Sequence, residues 1–212
     1  MSRFPIIHGS RWGEEYVRKI GHRGAMHYIG NGVNFNHFPI SDKPKDGKTI
    51  LLESPFSRNP AKDTDRLASK VIFRLKSEGY NIIGYGSDDL DSRYPLDEYI
   101  MRPSLEDMNR MYEEASILVK ATKWDARALS PVEAMTKGCV TARAIIQGDD
   151  DLMHGVNCLR SGYDENELYE NSSFLLKNQD YLSLISGACG AYVQLHCNWE
   201  TIIPQLEKIL IS

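Results

Sequence analysis

The sequence predicts an α/β protein: a doubly wound parallel sheet flanked by helices. Two observations carry that reading. Short apolar runs alternate along the chain with helical segments of about 10–15 residues, the pattern of successive strand–helix units. The apolar run Ile117-Leu118-Val119 is followed by a loop and then by a helix start, as at the C-terminal edge of a parallel strand. No repeat and no low-complexity tract interrupts the alternation.

In chain order, Ile6–His8 reads as a short strand and Gly13–Lys19 as a helix. Met26–Ile29 is a second strand, ending in the Gly30-Asn31-Gly32 turn. Residues 42–48, rich in charge and containing Pro44 and Gly47, form a surface loop or linker. Thr49–Glu53 is a strand. Over Asp65–Glu78, Leu67, Ala68, Val71, Ile72 and Leu75 share one helical face, and Gly79 stops the helix. Asn81–Tyr85 is the next strand. Ser104 caps a helix from Leu105 to about Ala115, which leads into the strand Ile117–Lys120. A helix over Pro131–Lys137, a strand over Val140–Ile145 and a short extended piece at Asn157–Arg160 follow. Helices fill the remainder, and Trp199 is expected to pack in a helix interface.

Composition excludes several classes. The 212 residues make one domain of ordinary size, long enough to bury roughly 70% of its unfolded surface. A net charge of −4 lacks the basic face of a general nucleic-acid binder. No apolar run approaches the ~20 residues of a membrane span, and Met1–His8 lacks the apolar core of a signal peptide. A cytoplasmic location is therefore expected, and the sequon at Asn171 carries no weight without a secretory signal. Cys139, Cys158, Cys189 and Cys197 form no Cys-x-x-Cys and sit among apolar neighbours, so they read as reduced, buried thiols. The six histidines show no metal-ligand spacing, and His8 and His27 read as structural.

Chemistry concentrates in Asp125-Ala-Arg-Ala-Leu-Ser-Pro-Val-Glu133-Ala-Met-Thr-Lys-Gly138. Two carboxylates lie across a loop-to-helix junction at the sheet edge where α/β proteins bind ligands. Such a pair suits the hydroxyls of a sugar and a ribose better than a metal or a phosphate. Glu133 has a second reading from local chemistry alone. Ser130 is a good N-cap, Pro131 suits the first helical position, and Glu133 would close a capping box by reaching back to the Ser130 backbone N–H. Both readings stand at this level.

For phosphate, no Gly-x-x-x-x-Gly-Lys-[Ser/Thr] motif exists, and the Gly84-Tyr-Gly86 pair lacks the spacing of a dinucleotide fingerprint. The loop after Glu53 carries Arg58 and Lys62, four residues apart. Arg58 offers a fork and Lys62 a point charge that could clamp a diphosphate; the alternative is a pair of solvated loop cations.

An acid, seven residues, then Glu followed by Ala-Met and a Gly resembles the signature of the retaining GT-B glycosyltransferases of the group 1, or family 4, type. Three more segments fall in that family's order. Residues 28–34, Tyr-Ile-Gly-Asn-Gly-Val-Asn, are similar to its "pNGVD" segment. Residues 151–159 are similar to its "e-l-i-x-x-G-x-n-G-l-l" segment, and Asn198-Trp199-Glu200 to the "f-s-W-e" opening of its last helix.

This resemblance covers nearly the whole chain but only the C-terminal, donor-binding half of such an enzyme. It implies a Rossmann-like domain of a GT-B fold that binds a nucleotide-sugar, a UDP- or GDP-sugar by family habit, with no cofactor and no obligatory metal. Transfer would proceed with retention to a glycan, lipid or protein acceptor. By resemblance Glu133 holds the ribose hydroxyls and Asp125 lies against the donor sugar. Ala128, Leu129 and Ser130 present backbone N–H groups, and Lys62 with Arg58 neutralises the leaving diphosphate. The segment around Arg102 receives the base, with Arg102 either stacked on it or exposed. Three departures bear on transfer: the first acid is Asp125 rather than Glu, Arg127 stands where the family has an aromatic residue, and Ala128 where it has Gly.

The same resemblance divides the chain. Residues 1–40 are the end of an acceptor domain and its linker, 41–198 the nucleotide-sugar-binding domain, and 199–212 a helix crossing back to the missing half. Partners would be the nucleotide-sugar and an N-terminal acceptor domain or separate subunit. Self-association through exposed apolar surface and peripheral membrane association through the missing half are further partners it allows; nucleic acid is not one. A donor subunit serving a separate acceptor subunit, or a degenerate nucleotide-sugar-binding module without transfer, are the alternatives.

Overall fold

The structure, a computed structural model, describes residues 4–53, 66–87 and 94–211. The elements run β1 (Ile6–His8), α1 (Arg11–Lys19), β2 (Met26–Tyr28), β3 (Thr49–Glu53), α2 (Leu67–Ser77), β4 (Asn81–Gly86), β5 (Glu98–Met101) and α3 (Leu105–Glu114). They continue with β6 (Ile117–Asp125), α4 (Leu129–Met135), β7 (Val140–Gly148), β8 (Cys158–Ser161), α5 (Glu165–Lys177), α6 (Gln179–His196) and α7 (Trp199–Ile211).

Six strands form one parallel sheet in the order β5-β4-β3-β6-β7-β8. Counted within that sheet the order is 3-2-1-4-5-6, a doubly wound arrangement whose direction of travel reverses between β3 and β6. Helices cover both faces, α2 with α5 on one and α3, α4 and α6 on the other. Strands buried on both faces must be apolar throughout. Ile50, Leu51, Leu52, Ile82, Ile83, Ile117, Leu118 and Val119 accordingly lie in the core. The amphipathic reading of α2 holds, with Leu67, Ala68, Val71, Ile72 and Leu75 all buried.

β1 and β2 pair in parallel as a separate two-stranded sheet, linked by α1. Among the contacts that tie this unit and the segment after it to the rest are two hydrogen bonds. Asp150 accepts the Arg11 backbone N–H at the start of α1, and the Val33 N–H donates to Cys197 O at the end of α6. α7 lies on the same segment: a Cβ at Gly32 would come within 3.1 Å of Ile202 and of the Trp199 ring. Of α7 only Ile202 is buried, whereas Ile203, Leu210 and Ile211 are exposed.

Ends shift where local signals compete. α1 begins at Arg11 because Ser10 accepts the Gly13 N–H. The cap at Ser104 is the expected one, completed by Asp107 as a capping box. β6 and β7 run on to Asp125 and Gly148, beyond the apolar stretches that announced them. β5, to which the sequence assigns no element, pairs with β4 at the sheet edge. Helix α5 is capped by Asp164, whose carboxylate accepts the Glu167 N–H at 2.9 Å. Asp164→Ala should lower unfolding free energy by about 1 kcal/mol in urea titration, with the slope unchanged.

The cysteines are buried as expected. Burial pushes the Cys139 and Cys158 thiols up to about 12, so they stay protonated and unreactive at neutral pH. Among the described residues no helix is long and apolar enough to cross a membrane.

Candidate functional site

The carboxyl ends of β3 and β6 flank the point where the strand order reverses, the place where open α/β sheets take their ligands. The strand register brings polar residues there onto one level. Glu53 is paired with Tyr85 of β4, Lys120 with Arg143 of β7, and Arg143 with Arg160 of β8. β3 and β6 pair one residue earlier, Leu52 with Val119, so Glu53 and Lys120 are the next step of that ladder. Paired positions share a face of the sheet, and five polar side chains thus form a row across the top of an apolar core.

Each member of the row is tied to a neighbour. Lys120, whose side chain is 5% exposed, forms an ion pair with Glu53 and donates to Ser130 Oγ at 2.7 Å. The Ser130 hydroxyl donates to Glu53 Oε2 at 2.5 Å, closing a triangle under the first turn of α4. Arg143 is wholly buried; its Nε pairs with Asp149 and its Nη2 donates to Asp125 Oδ2 at 3.1 Å. Arg160 donates to the carbonyls of Gly148 at 3.2 Å and Leu152 at 3.3 Å.

The loop after β7 is shaped to meet the loop after β6. Gly148 has φ 121°, and a Cβ there would lie 1.5 Å from the Asp125 carbonyl, so only glycine fits. Asp149 follows in the left-handed region at φ 53°. Its Oδ1 accepts the Ala128 N–H at 2.9 Å, and its own N–H donates to the Asp125 carbonyl at 3.2 Å. Burial holds the Asp149 carboxyl above the usual range, with Arg143 and the Ala128 N–H pulling the other way.

Glu133 stands further along α4. It is half-buried and accepts from the Tyr112 hydroxyl at 3.3 Å; Tyr112 in turn meets the Tyr85 hydroxyl at 3.3 Å. Burial raises the Glu133 carboxyl, the nearby Glu53 charge adds to that, and the Tyr112 hydrogen bond opposes it.

These positions revise several expectations. α4 begins at Leu129, with Ala128 at the cap position, two residues before the expected helix start. Ser130 is therefore inside the helix, and its hydroxyl is engaged by Lys120 and Glu53 rather than by a capping box with Glu133. The capping reading of Glu133 falls. Ala128 does not offer its N–H to a ligand, since Asp149 already accepts it. Leu129 and Ser130 remain as first-turn amides without an intrahelical acceptor.

Asp125 sits at the end of β6, its carboxylate 17% exposed and in the grip of Arg143. Arg127 turns away from the junction. It is buried in an ion pair with Asp151, donates to Cys197 Sγ, and occupies the space a Cβ at Gly30 would need. Asn31 holds its carbonyl at 2.9 Å. Arg102 is exposed at the end of β5 with φ 51°, on the same sheet edge but two strands from β3. Arg58 and Lys62 lie outside the described residues.

Glu53, Lys120, Tyr85, Tyr112, Arg143 and Asp149 escaped the sequence reading. Lys120 and Arg143 did carry a signal: a lone cation inside an otherwise apolar strand must have a buried partner.

A 3-2-1-4-5-6 parallel sheet flanked by helices is a Rossmann-like domain. Comparison with solved structures narrows this to the C-terminal domain of the GT-B fold. The chain is similar to a sucrose-phosphate synthase from Thermosynechococcus elongatus, at 17% identity and TM-score 0.79, covering 97% of this chain and 57% of that one. It is similar to Anabaena HepE in complex with UDP-glucose, at 16% and 0.75, covering 97% and 63%. It is similar to TarM of S. aureus in a complex containing UDP, at 15% and 0.78, covering 98% and 44%. It thus spans about half the length of these structures. No protein-family profile and no curated protein sequence matches it.

Proposed function

We propose that the chain is the donor-binding domain of a retaining glycosyltransferase of the GT-B type, acting on a UDP- or GDP-sugar. The observation that carries this is Glu133. It is a half-buried carboxylate at the sheet's reversal point, outside any capping box with Ser130 and, among the described residues, hydrogen-bonded by the Tyr112 hydroxyl. A group so placed accepts hydrogen bonds from hydroxyls, and a ribose supplies two.

In this reading the ribose sits on Glu133, and the diphosphate lies over the first turn of α4 at the Leu129 and Ser130 amides. Arg58 and Lys62 come from the loop after β3 to balance charge developing on the leaving diphosphate, where electrostatic catalysis would act. Asp125 orients the sugar, Arg102 borders the base, and the acceptor enters from a second domain or subunit. No metal and no cofactor takes part. The solved structures with UDP or UDP-glucose bound support a nucleotide-sugar as ligand.

A second reading has an observation in its favour. The Asp125 carboxylate and the Ala128 amide are both committed within the protein, which favours a module that binds the nucleotide-sugar without transferring the sugar. Titration with UDP, GDP, ADP and dTDP by calorimetry tests the common part, and saturable binding of one of them is expected. Hydrolysis or transfer from the matching nucleotide-sugar, assayed with the acceptor half supplied, separates the two readings.

A further inference from the structure

We propose that Tyr112, set in place by Tyr85, is the positioning residue that makes this site select a nucleotide with an intact ribose diol. The inference rests on the reading of Glu133 as the ribose ligand and says what holds Glu133 in place to do so.

The two phenols are built for one arrangement. Tyr112 is fully buried and Tyr85 is 6% exposed. The Tyr112 ring is fixed edge-on against Tyr85, with centroids 6.4 Å apart at 88°, and lies against Phe38 at 6.2 Å. Burial pushes both hydroxyls well above the usual phenol range, so each keeps its single proton. The Tyr112 proton goes to Glu133 Oε2. Either hydroxyl can donate at the 3.3 Å contact between the two phenols, and while the Tyr112 proton lies on Glu133 the donor there is Tyr85.

That donor leaves Glu133 with most of its acceptor capacity. A carboxylate has about four lone-pair sites, and Tyr112 takes one. The remainder suffices for two vicinal hydroxyls, provided the carboxylate keeps its orientation. Among the described residues no cation hydrogen-bonds Glu133: Lys120 acts on it through its charge alone, its ammonium being bonded to Glu53 and Ser130. A ligand group is only as selective as the shell that holds it, and here the described part of that shell is Tyr112.

The test compares UDP, or GDP or ADP where wild type binds that nucleotide instead, with its 2′-deoxy form by calorimetry on the wild-type chain, Tyr112→Phe, Tyr85→Phe, Glu133→Gln and the double variant Tyr112→Phe/Glu133→Gln. Wild type should prefer the ribonucleotide by about tenfold or more, the effect of one hydrogen bond to a charged group. Tyr112→Phe should cut that preference several-fold while affinity for the 2′-deoxy form stays nearly constant. In the Glu133→Gln background it should change nothing further. A merely structural role would weaken both nucleotides alike.

If wild type prefers the ribonucleotide and Tyr112→Phe keeps the full preference, the positioning role is overturned while the ribose reading survives. If wild type binds none of UDP, GDP and ADP, or Glu133→Gln leaves the preference for the ribonucleotide intact, the ribose reading fails and the inference with it. Should Tyr112→Phe not fold, Tyr85→Phe decides: it leaves Glu133 its donor but frees Tyr112, and it must show a smaller loss of the same preference.

Discussion

Arg143→Met should cost the fold about 3–5 kcal/mol, the price of leaving a buried charge without its partner. Urea denaturation followed by far-UV circular dichroism would measure it. Arg143 has no exposed surface, and Asp149, its ion-pair partner, is 2% exposed. Removing the guanidinium leaves Asp149 with the Ala128 N–H as its hydrogen bond. The carboxyl would answer by taking a proton, which limits the loss but does not abolish it. Adding Asp149→Asn should recover much of the stability. Asparagine tolerates the left-handed backbone at that position and keeps an oxygen for the Ala128 N–H. The pair should therefore be strongly non-additive in a double-mutant cycle. If Arg143→Met alone costs under about 1 kcal/mol, as an ordinary surface change would, then Arg143 does not hold the two loops together.

The comparison of sequence with structure separates local from distant causes. Strands buried on both faces announce themselves as apolar runs, and α2 through its helical periodicity, so the sheet and its flanking helices were legible. The junction after β6 was legible too, because an acid in the loop and an acid in the helix stand out beside an apolar strand. Ser130 was misread for a physical reason. Ser-Pro-x-Glu is a strong local capping pattern, but Glu53 lies 77 residues away in the chain and claims the hydroxyl. No local rule registers that competitor. The same holds for Tyr112, 21 residues from Glu133 on a different helix, and for Arg143, whose partners are assembled only once β6 and β7 are in register. Arg127 is instructive in the opposite sense. Viewed beside the ligand motif it looked like a change in the site, and the fold turns it into a tie between the loop, Asp151 and the end of α6.

Glu133→Gln should weaken binding of the cognate nucleotide by about 1.5–3 kcal/mol, roughly ten- to a hundredfold, since it replaces a charged acceptor with a neutral one. Calorimetry at neutral pH would read it. The same substitution should make the free protein more stable at that pH. Burial lifts the Glu133 carboxyl above the ordinary glutamate value of 4.5, so the folded state favours the protonated form. The stabilisation from that preference is fully present below 4.5 and is lost as pH rises through the raised folded value. Near neutrality the ionised carboxylate is thus a burden on the fold. Glutamine keeps a carbonyl for the Tyr112 hydroxyl and removes the charge, and its advantage over wild type should vanish as pH falls below 4.5.

Nucleotide binding should run the other way in wild type, weakening as acid protonates Glu133, whereas the variant should lack that dependence. Stability gained and affinity lost by one substitution is the mark of a group kept for its ligand rather than for the fold. A variant that loses stability and leaves binding untouched would return Glu133 to a structural role, and the proposed donor site would lose its main support.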